Sequence, residues 1–412
     1  MDYDLVIVGG GLAGSSVGAA MVANGMRVLI IEREVEFRDR IRGEGMLPWG
    51  VAEARELGIY QPLLDSCAIE TRWWTAPDDN RDLVETTPSR AGCLNFYHPE
   101  MQHRLLDHAV AAGAELLRPA EVVHVCPGPS PTVVARWNGV ERRISAHLVV
   151  GADGRGSRVR AWAGFPVRRD PQCFTAVGTL YRGLALPDDA VQFVPNPETQ
   201  RLSIIFPISG GRFRTYFVFE HGTRPPLSGR KDQRTFVEES VAAGASADWF
   251  RGGEPVGPLA SFDAPDTWAD HPYRNGVMLV GDAAAASDPC FGCGLSLTLR
   301  DVRVLRDHLS ATPDWCAAAD AYAEAHDRYF HTLHRIHAWY GDLWYRGGAE
   351  ADQLRARALP RIAEDPARLV DFIALGPERR SRAAAHVRRG LTLAKGNAFA
   401  ADHQARPAKL DP

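Results

Sequence analysis

Three glycines near the amino terminus have the spacing that holds a phosphate. Gly9, Gly11 and Gly14 fit G-x-G-x-x-G. The first allows a tight turn, the second lets backbone approach a pyrophosphate, and the third lets a helix lie close to a strand. Glu32 follows roughly 20 residues later, where a carboxylate accepts hydrogen bonds from a ribose hydroxyl. Two more turns, Asp153-Gly154 and Gly281-Asp282, also follow apolar runs. Cys290 and Cys293 form C-x-x-C, either a redox pair or two small residues filling tight space at a helix start; the second is expected. His326, His331, His334 and His337 fall in one helical stretch, and His334 and His337 share a face. No Cys, Asp or Glu completes a metal spacing there, so no metal is expected.

These residues need particular elements to position them. Leu5 to Val8 is β-branched and apolar and runs straight into the glycines, as a buried parallel strand does. Ser15 to Asn24 reads as the following helix, ended by Gly25, and Val28 to Ile31 as the second strand. Together they make a strand–turn–helix–strand unit with the acid at its end. Glu36 to Pro48 is polar and glycine-broken, a loop near the nucleotide. Ile69 to Thr75 and Gly92 to Tyr97 read as strands, and His98 to Ala112 as a helix. Val122 to Val125, Val133 to Trp137 and Arg143 to Ala146 read as a meander, and Leu148 to Val150 as a separate buried strand. From Thr175 to Phe262 strand patterns dominate, so an antiparallel sheet is expected as a second, inserted domain. Leu295 to Leu309, Cys316 to Trp344 and the Arg-rich stretch from Ala351 onward read as helices.

The fold expected is therefore α/β: a Rossmann-type nucleotide-binding domain, an inserted antiparallel β-sheet substrate domain and a C-terminal helical tail. The nucleotide domain takes 1–70, 98–170 and 266–310; the substrate domain takes 71–97 and 171–265; the helical region takes 311–412. A chain of 412 residues suits two packed domains better than one. A net charge of −4 argues against nucleic acid and anionic membrane surfaces, and no apolar run is long enough to span a bilayer. Seven cysteines, Cys67, Cys93, Cys126, Cys173, Cys290, Cys293 and Cys316, read as reduced thiols in a cytoplasmic protein. The amino terminus, with Asp2 and Asp4 ahead of the strand, does not read as a signal peptide.

Three motifs in order carry a resemblance. After the glycines come Asp153-Gly154-x-x-Ser157-x-x-Arg160 and Gly281-Asp282, continuing through Asp288-Pro289-Cys290-Phe291-Gly292-Cys293-Gly294-Leu295-Ser296. The chain resembles the p-hydroxybenzoate hydroxylase-like (group A) flavoprotein monooxygenases over Tyr3 to about Leu309. The resemblance implies FAD as cofactor, with Gly9, Gly11, Leu12, Ala13 and Gly14 at its pyrophosphate and Glu32 and Arg33 at its adenosine. It places Asp153 and Gly154 beside the pyrophosphate and the pyridine nucleotide. It gives Asp282 the ribityl chain and sets Pro289 and Gly292 by the flavin ring. Gly294, Leu295 and Ser296 open a helix whose N–H groups suit charge developing on reduced flavin. Arg42, Gly43, Glu44 and His98 are further candidates around the cofactor. No catalytic group is assigned; Pro289, Cys290, Phe291 and Cys293 stand nearest the flavin. Trp73, Phe206 and Tyr216, with Trp74, are candidate substrate contacts, and core packing explains them equally well.

The sequence departs from that family at several positions. Ala285 stands where His is common, Phe291 where Gly is common, Ser296 where Asn is common, and His98 where Arg or Gln is common. A second resemblance, of Gly43-Glu44-x-x-Leu47-Pro48 and Asp288-Pro289-x-Phe291, is to flavin-dependent halogenases. Those require a lysine between flavin and substrate, and the first lysine here is Lys231. Their Trp-x-Trp-x-Ile-Pro motif is absent. Gly43-Glu44-Gly45 also resembles isoprenoid reductases, which carry Cys where Arg42 stands. The activity implied is NAD(P)H-dependent hydroxylation of an aromatic or polycyclic small molecule in secondary metabolism, through a hydroperoxide of reduced flavin. NADPH or NADH would bind transiently, since only one dinucleotide fingerprint is present. A monomer or homodimer is expected, and a flavin-binding sensor is the non-enzyme alternative.

Overall fold

A computed structural model describes residues 1–41, 43–77, 79–171, 174–263 and 265–377. Arg42, Cys173 and the end of the Arg-rich tail, from 378 onward, lie outside the described residues.

The first large sheet is built on the Tyr3–Val8 strand. It pairs in parallel with Val28–Ile31 on one side and Val140–Gly151 on the other, with Leu5 opposite Val28 and Leu148. Glu115–Leu117 and Val277–Leu279 extend the parallel order outward. Both faces are buried, which explains a continuous apolar run instead of alternation. Leu5 and Ile7 join the core beneath the helices, while Val6 and Val8 face the meander side. The Leu12–Ala23 and Gly294–Ala311 helices contribute Val17 and Val302 to the first of these cores.

Val140–Gly151 is one strand rather than two. Its first half pairs antiparallel with Thr132–Trp137, and its second half pairs in parallel with Tyr3–Val8. His147 is simply the outward residue between buried Ala146 and Leu148, so the run contains no turn.

The second large sheet has the order Glu254–Pro255, Phe174–Arg182, Arg212–Glu220, Arg201–Ile208, Ala190–Asn196, Trp73–Ala76, Asp79–Asp82. It is antiparallel except where Ala190–Asn196 runs parallel to Trp73–Ala76. Side chains alternate cleanly. Ile204, Phe206, Tyr216 and Val218 face one core, and Ile205, Phe217 and Phe219 face another, which Phe236 of the Gln233–Ala242 helix covers. The sequence reading carried no expectation of that helix, nor of Tyr60–Ser66.

The single strand expected over Ile69 to Thr75 is two. Ala68–Thr71 pairs with Cys93–Phe96 in a small sheet, and Trp73–Ala76 belongs to the second large sheet. Arg72 lies between them, its guanidinium bonded to Asp82. The carboxy-terminal part begins with the Trp315–Tyr340 helix, turns at Gly341–Tyr345, and continues through Ala349–Glu364 to a short turn of helix, Phe372–Leu375. Among the described residues, no helix is long and apolar enough to cross a membrane, and no cluster of His, Cys, Asp and Glu could hold a metal.

Candidate active site

A cavity of about 560 Å³ is lined from both large sheets and from the turns that follow the first sheet's strands. Its two halves differ in chemistry.

The polar half gathers the sequence motifs. Gly9, Gly11, Leu12, Ala13, Glu32, Arg33, Gly43, Asp153, Gly154, Asp282, Pro289, Gly292, Gly294 and Leu295 all line it, as does His98. Two helices start here, Leu12–Ala23 and Gly294–Ala311. Neither has a side-chain cap or an acid in its first turn, so their N–H groups and positive dipole ends are available to an anionic ligand. Glu32 closes the glycine turn from the second strand: its carboxylate accepts from Gly10 N and from Glu34 N, each at 2.7 Å. Gly14 does not line the cavity. A Cβ there would lie 1.9 Å from the Gly9 carbonyl oxygen, so this glycine serves the close approach of helix to turn.

The Asp153 turn is largely self-satisfied. Its carboxylate accepts from Ser157 Oγ at 2.5 Å and from the backbone N–H of Arg158 and Val159 at 2.7 and 3.1 Å. Arg160 is buried and donates to the carbonyls of Ala283 and Arg155, which ties this turn to the Gly281-Asp282 turn. Arg155 is thereby aimed across the cavity, donating to the Pro265 and Ser287 carbonyls. Its Nε has no hydrogen-bond acceptor, and Asp282 Oδ2 lies 3.9 Å away. Ser287 Oγ is also buried without a partner. Uncapped helix starts, a carboxylate at a strand end and two orphaned polar atoms together fit a nucleotide that brings both anionic and hydroxyl groups.

The aromatic half is formed by Trp74, Phe193, Phe206, Tyr216, Phe262 and Phe291, with Ala176, Ile204 and Val218 between them. Trp73, one of the candidate substrate contacts, does not line it. Successive strand residues point to opposite faces, so Trp74 enters the cavity and Trp73 lies under Arg72 instead. Phe206 and Tyr216 do line the cavity.

Glu44 sits where the halves meet. Gly43 faces Leu295 of the polar half, while Gly45 is so close to Phe206 that a Cβ would come within 2.4 Å of its ring. Glu44 Oε2 accepts from the Tyr216 hydroxyl at 2.5 Å, and Oε1 lies 3.1 Å from Arg214 Nε. Arg214 also donates to Asp39 at 2.8 Å. Burial pushes the Glu44 carboxyl up to about 7, only partly offset by Arg214 and the Tyr216 hydroxyl. Burial works against the Arg214 charge, but Glu44, Tyr216 and Asp39 outweigh it, so its pKa rises.

Phe291, where the resembling family commonly has glycine, stacks on His337 with ring centroids 4.2 Å apart and planes 7° apart. Burial lowers the His337 pKa to about 3, so it packs as a neutral aromatic ring. Cys290 lines the cavity, whereas Cys293 is buried behind it and donates weakly to the Phe291 carbonyl. Burial pushes both thiols up, the reverse of what an activated thiolate needs. Ser296 is likewise buried and does not line the cavity; its Oγ accepts from Leu47 N at 3.2 Å and anchors the loop that carries Glu44.

The sequence reading did not single out several lining residues: Arg155, Gln102, Phe193, Ser287 and Phe372. Arg155 lies inside a motif and could have been found there. The others carry no local signal.

A family profile described as FAD binding domain matches residues 2–336. Digeranylgeranylglycerophospholipid reductase 2 of Methanopyrus kandleri is 26% identical over 317 residues, covering 73% of this chain and 74% of the relative. Ubiquinone hydroxylase UbiL of Rhodospirillum rubrum is 28% identical over 336 residues, covering 75% and 72%. Among solved structures, p-nitrophenol 4-monooxygenase PnpA from Pseudomonas putida superposes with a TM-score of 0.74 at 18% identity, covering 92% of this chain and 99% of that one. A triple mutant of the flavin-dependent brominase Bmp2 gives 0.71 at 18% identity, covering 94% and 97%. At such identities the structural likeness shows the fold.

Proposed function

The chain belongs to the FAD-binding domain family, and on that premise we propose that it is an NAD(P)H-dependent FAD monooxygenase hydroxylating an aromatic or polycyclic small molecule. One observation carries the reading: a single cavity joins the glycine and aspartate turns to an aromatic chamber whose wall carries Glu44 and Tyr216.

Gly9, Gly11, Leu12 and Ala13 would hold the FAD pyrophosphate at the uncapped start of the Leu12–Ala23 helix. Glu32 and Arg33 would hold the adenosine, and Asp282 would accept from the ribityl hydroxyls. The free N–H groups of Gly294 and Leu295 would suit the charge on a reduced flavin, and Pro289 would line the site for its ring. Ser296 supports this site through Leu47 rather than by contact. When bound, FAD would supply the redox chemistry that links NAD(P)H to dioxygen. Arg155, Arg158 and Arg38 at the cavity wall give the reduced nicotinamide nucleotide a cationic dock.

The protein's own residues do the rest. The aromatic chamber excludes water and orients a ring. The Tyr216 hydroxyl, which donates to Glu44, can accept a hydrogen bond from a substrate hydroxyl, and Glu44 behind it can take up or return a proton near neutral pH. Among the described lining residues the cations are Arg33, Arg38, Arg40, Arg155 and Arg158, none of them in the aromatic half, and Arg214 is already paired with Asp39 and Glu44. The chamber therefore suits a neutral ring bearing a hydroxyl better than a carboxylate.

Halogenation and alkene reduction are the alternatives in this superfamily. Lys231 is exposed and away from the cavity, which speaks against a lysine-dependent halogenase. The test is NADPH oxidation by FAD-loaded enzyme with a panel of phenols, quinones and indoles. Stimulation by ring hydroxyl compounds is expected; indifference to the whole panel would defeat the reading.

A further inference from the structure

One residue lining the cavity comes from far outside the nucleotide motifs. Every other described lining residue lies at or before Thr298; Phe372 is the exception. It also lies beyond residues 2–336, the part matched by the family profile. Its ring is 5% exposed and meets the edges of Tyr340, His337 and Phe291 at centroid distances of 4.7, 6.1 and 6.4 Å. The stacked Phe291 and His337 pair and the Phe372 edge thus form one aromatic wall.

Three attachments fix that ring. Arg81, at the edge of the second sheet, makes a two-pronged ion pair with Asp371 at 3.1 and 2.7 Å, and both groups are largely buried. Arg81 is itself steadied by Thr86 Oγ1 at 2.8 Å. The Tyr340 hydroxyl donates to the Val370 carbonyl at 2.6 Å. On the other side, Gly376 adopts φ +56 and lies against Trp49, where a Cβ would fall 2.6 Å from the indole. An ion pair of this kind adds geometric specificity as well as energy. A ring with so little rotational freedom fixes the depth of the chamber.

We propose that Phe372 is a specificity-determining residue that ends the substrate chamber and sets the size of ring system admitted, with Asp371 as its positioning residue. This rests on the aromatic half being the substrate site. Truncating Phe372 would extend the chamber toward the rings of Tyr340 and His337, the latter with two unpartnered ring nitrogens, so the added space would favour a longer planar ligand over a short one.

The test uses FAD-loaded full-length enzyme and two probes, naphthol and dihydroxyanthraquinone, with affinities read from perturbation of the flavin absorption. Phe372→Ala should shift the affinity ratio about tenfold toward the three-ring probe. Asp371→Asn should shift it in the same direction by a smaller factor. FAD content should be unchanged in both. A merely structural defect would weaken both probes together and leave the ratio alone. If Phe372→Ala does not fold, Phe372→Leu and Asp371→Asn carry the comparison. An unchanged ratio in folded, FAD-loaded variants overturns the assignment while leaving the chamber reading intact. Failure of wild type to bind either probe overturns both.

Discussion

Arg214 Nε stands 3.1 Å from Glu44 Oε1, and neither side chain meets solvent. The pair joins the second sheet to the loop that follows the nucleotide-binding strands, and Asp39 completes it from the same loop. One cation thus faces two carboxylates in a buried place, and the proton on Glu44 can balance the charge.

That balance has a pH signature. The folded Glu44 pKa is raised from 4.5 to about 7, so the folded protein holds this proton more tightly than the unfolded chain. Its contribution to stability is full below the ordinary carboxyl value and is lost as pH rises through about 7. Burial also raises Asp266 to about 7 and Asp288 to about 6, with the same sign. Urea unfolding across this range should show stability falling with pH. Glu44→Gln should flatten the fall by about 3 kcal/mol, the rise from 4.5 to about 7 counted at roughly 1.4 kcal/mol per pH unit. An unaltered slope would mean that Glu44 is ionised throughout.

Arg214→Met should be far more damaging than a typical surface change. It leaves Asp39 and Glu44 buried without their cation, which costs about 3–5 kcal/mol when one partner of such a group is removed. Denaturant midpoints at fixed pH measure this. A loss below about 1 kcal/mol would place the pair in the range of exposed ion pairs.

FAD retention probes the polar half. Asp282 lines the cavity, and among the described residues its paired cation is Arg155, whose Nε lies 3.9 Å from Oδ2. Asp282→Ala should weaken FAD about tenfold or more, near 1.4 kcal/mol, seen as loss of yellow colour on dilution or gel filtration. Undiminished FAD content would argue against its contact with the ribityl chain.

Cys290 and Cys293 should be dispensable for electron transfer. Both are buried with raised thiol pKa values. Replacing both with Ala should leave NADPH-driven flavin reduction within a few-fold of wild type. A fall of two orders of magnitude would make them redox partners.

Much of the nucleotide-binding part was legible because its signals are local. The Leu5 to Val8 run, the three glycines and Glu32 lie within one short stretch and specify strand, turn and helix together. The aromatic half was only partly legible. Strand alternation chooses between Trp73 and Trp74, and that choice depends on where the strand begins; the break at Arg72 decided it. Asp153 carries a recognisable motif, yet its carboxylate is occupied by its own turn, and the neighbouring Arg155 reaches the cavity instead. Arg214 and Phe372 left no trace in local sequence. Arg214 meets Asp39 and Glu44, 170 or more positions away, and the turn that carries Phe372 is held by an ion pair from Arg81, 290 positions from Asp371.

The most direct measurement of the proposed activity follows the oxygen atom. FAD-loaded enzyme, NADPH, a stimulating phenol and isotope-labelled dioxygen are incubated together, and the product is examined by mass spectrometry. Oxygen insertion predicts one labelled atom in the product and none when the label is in water. A product carrying bromine or chlorine in a halide-dependent reaction, or one formed without dioxygen by loss of a double bond, would contradict monooxygenation and leave the FAD-binding fold standing.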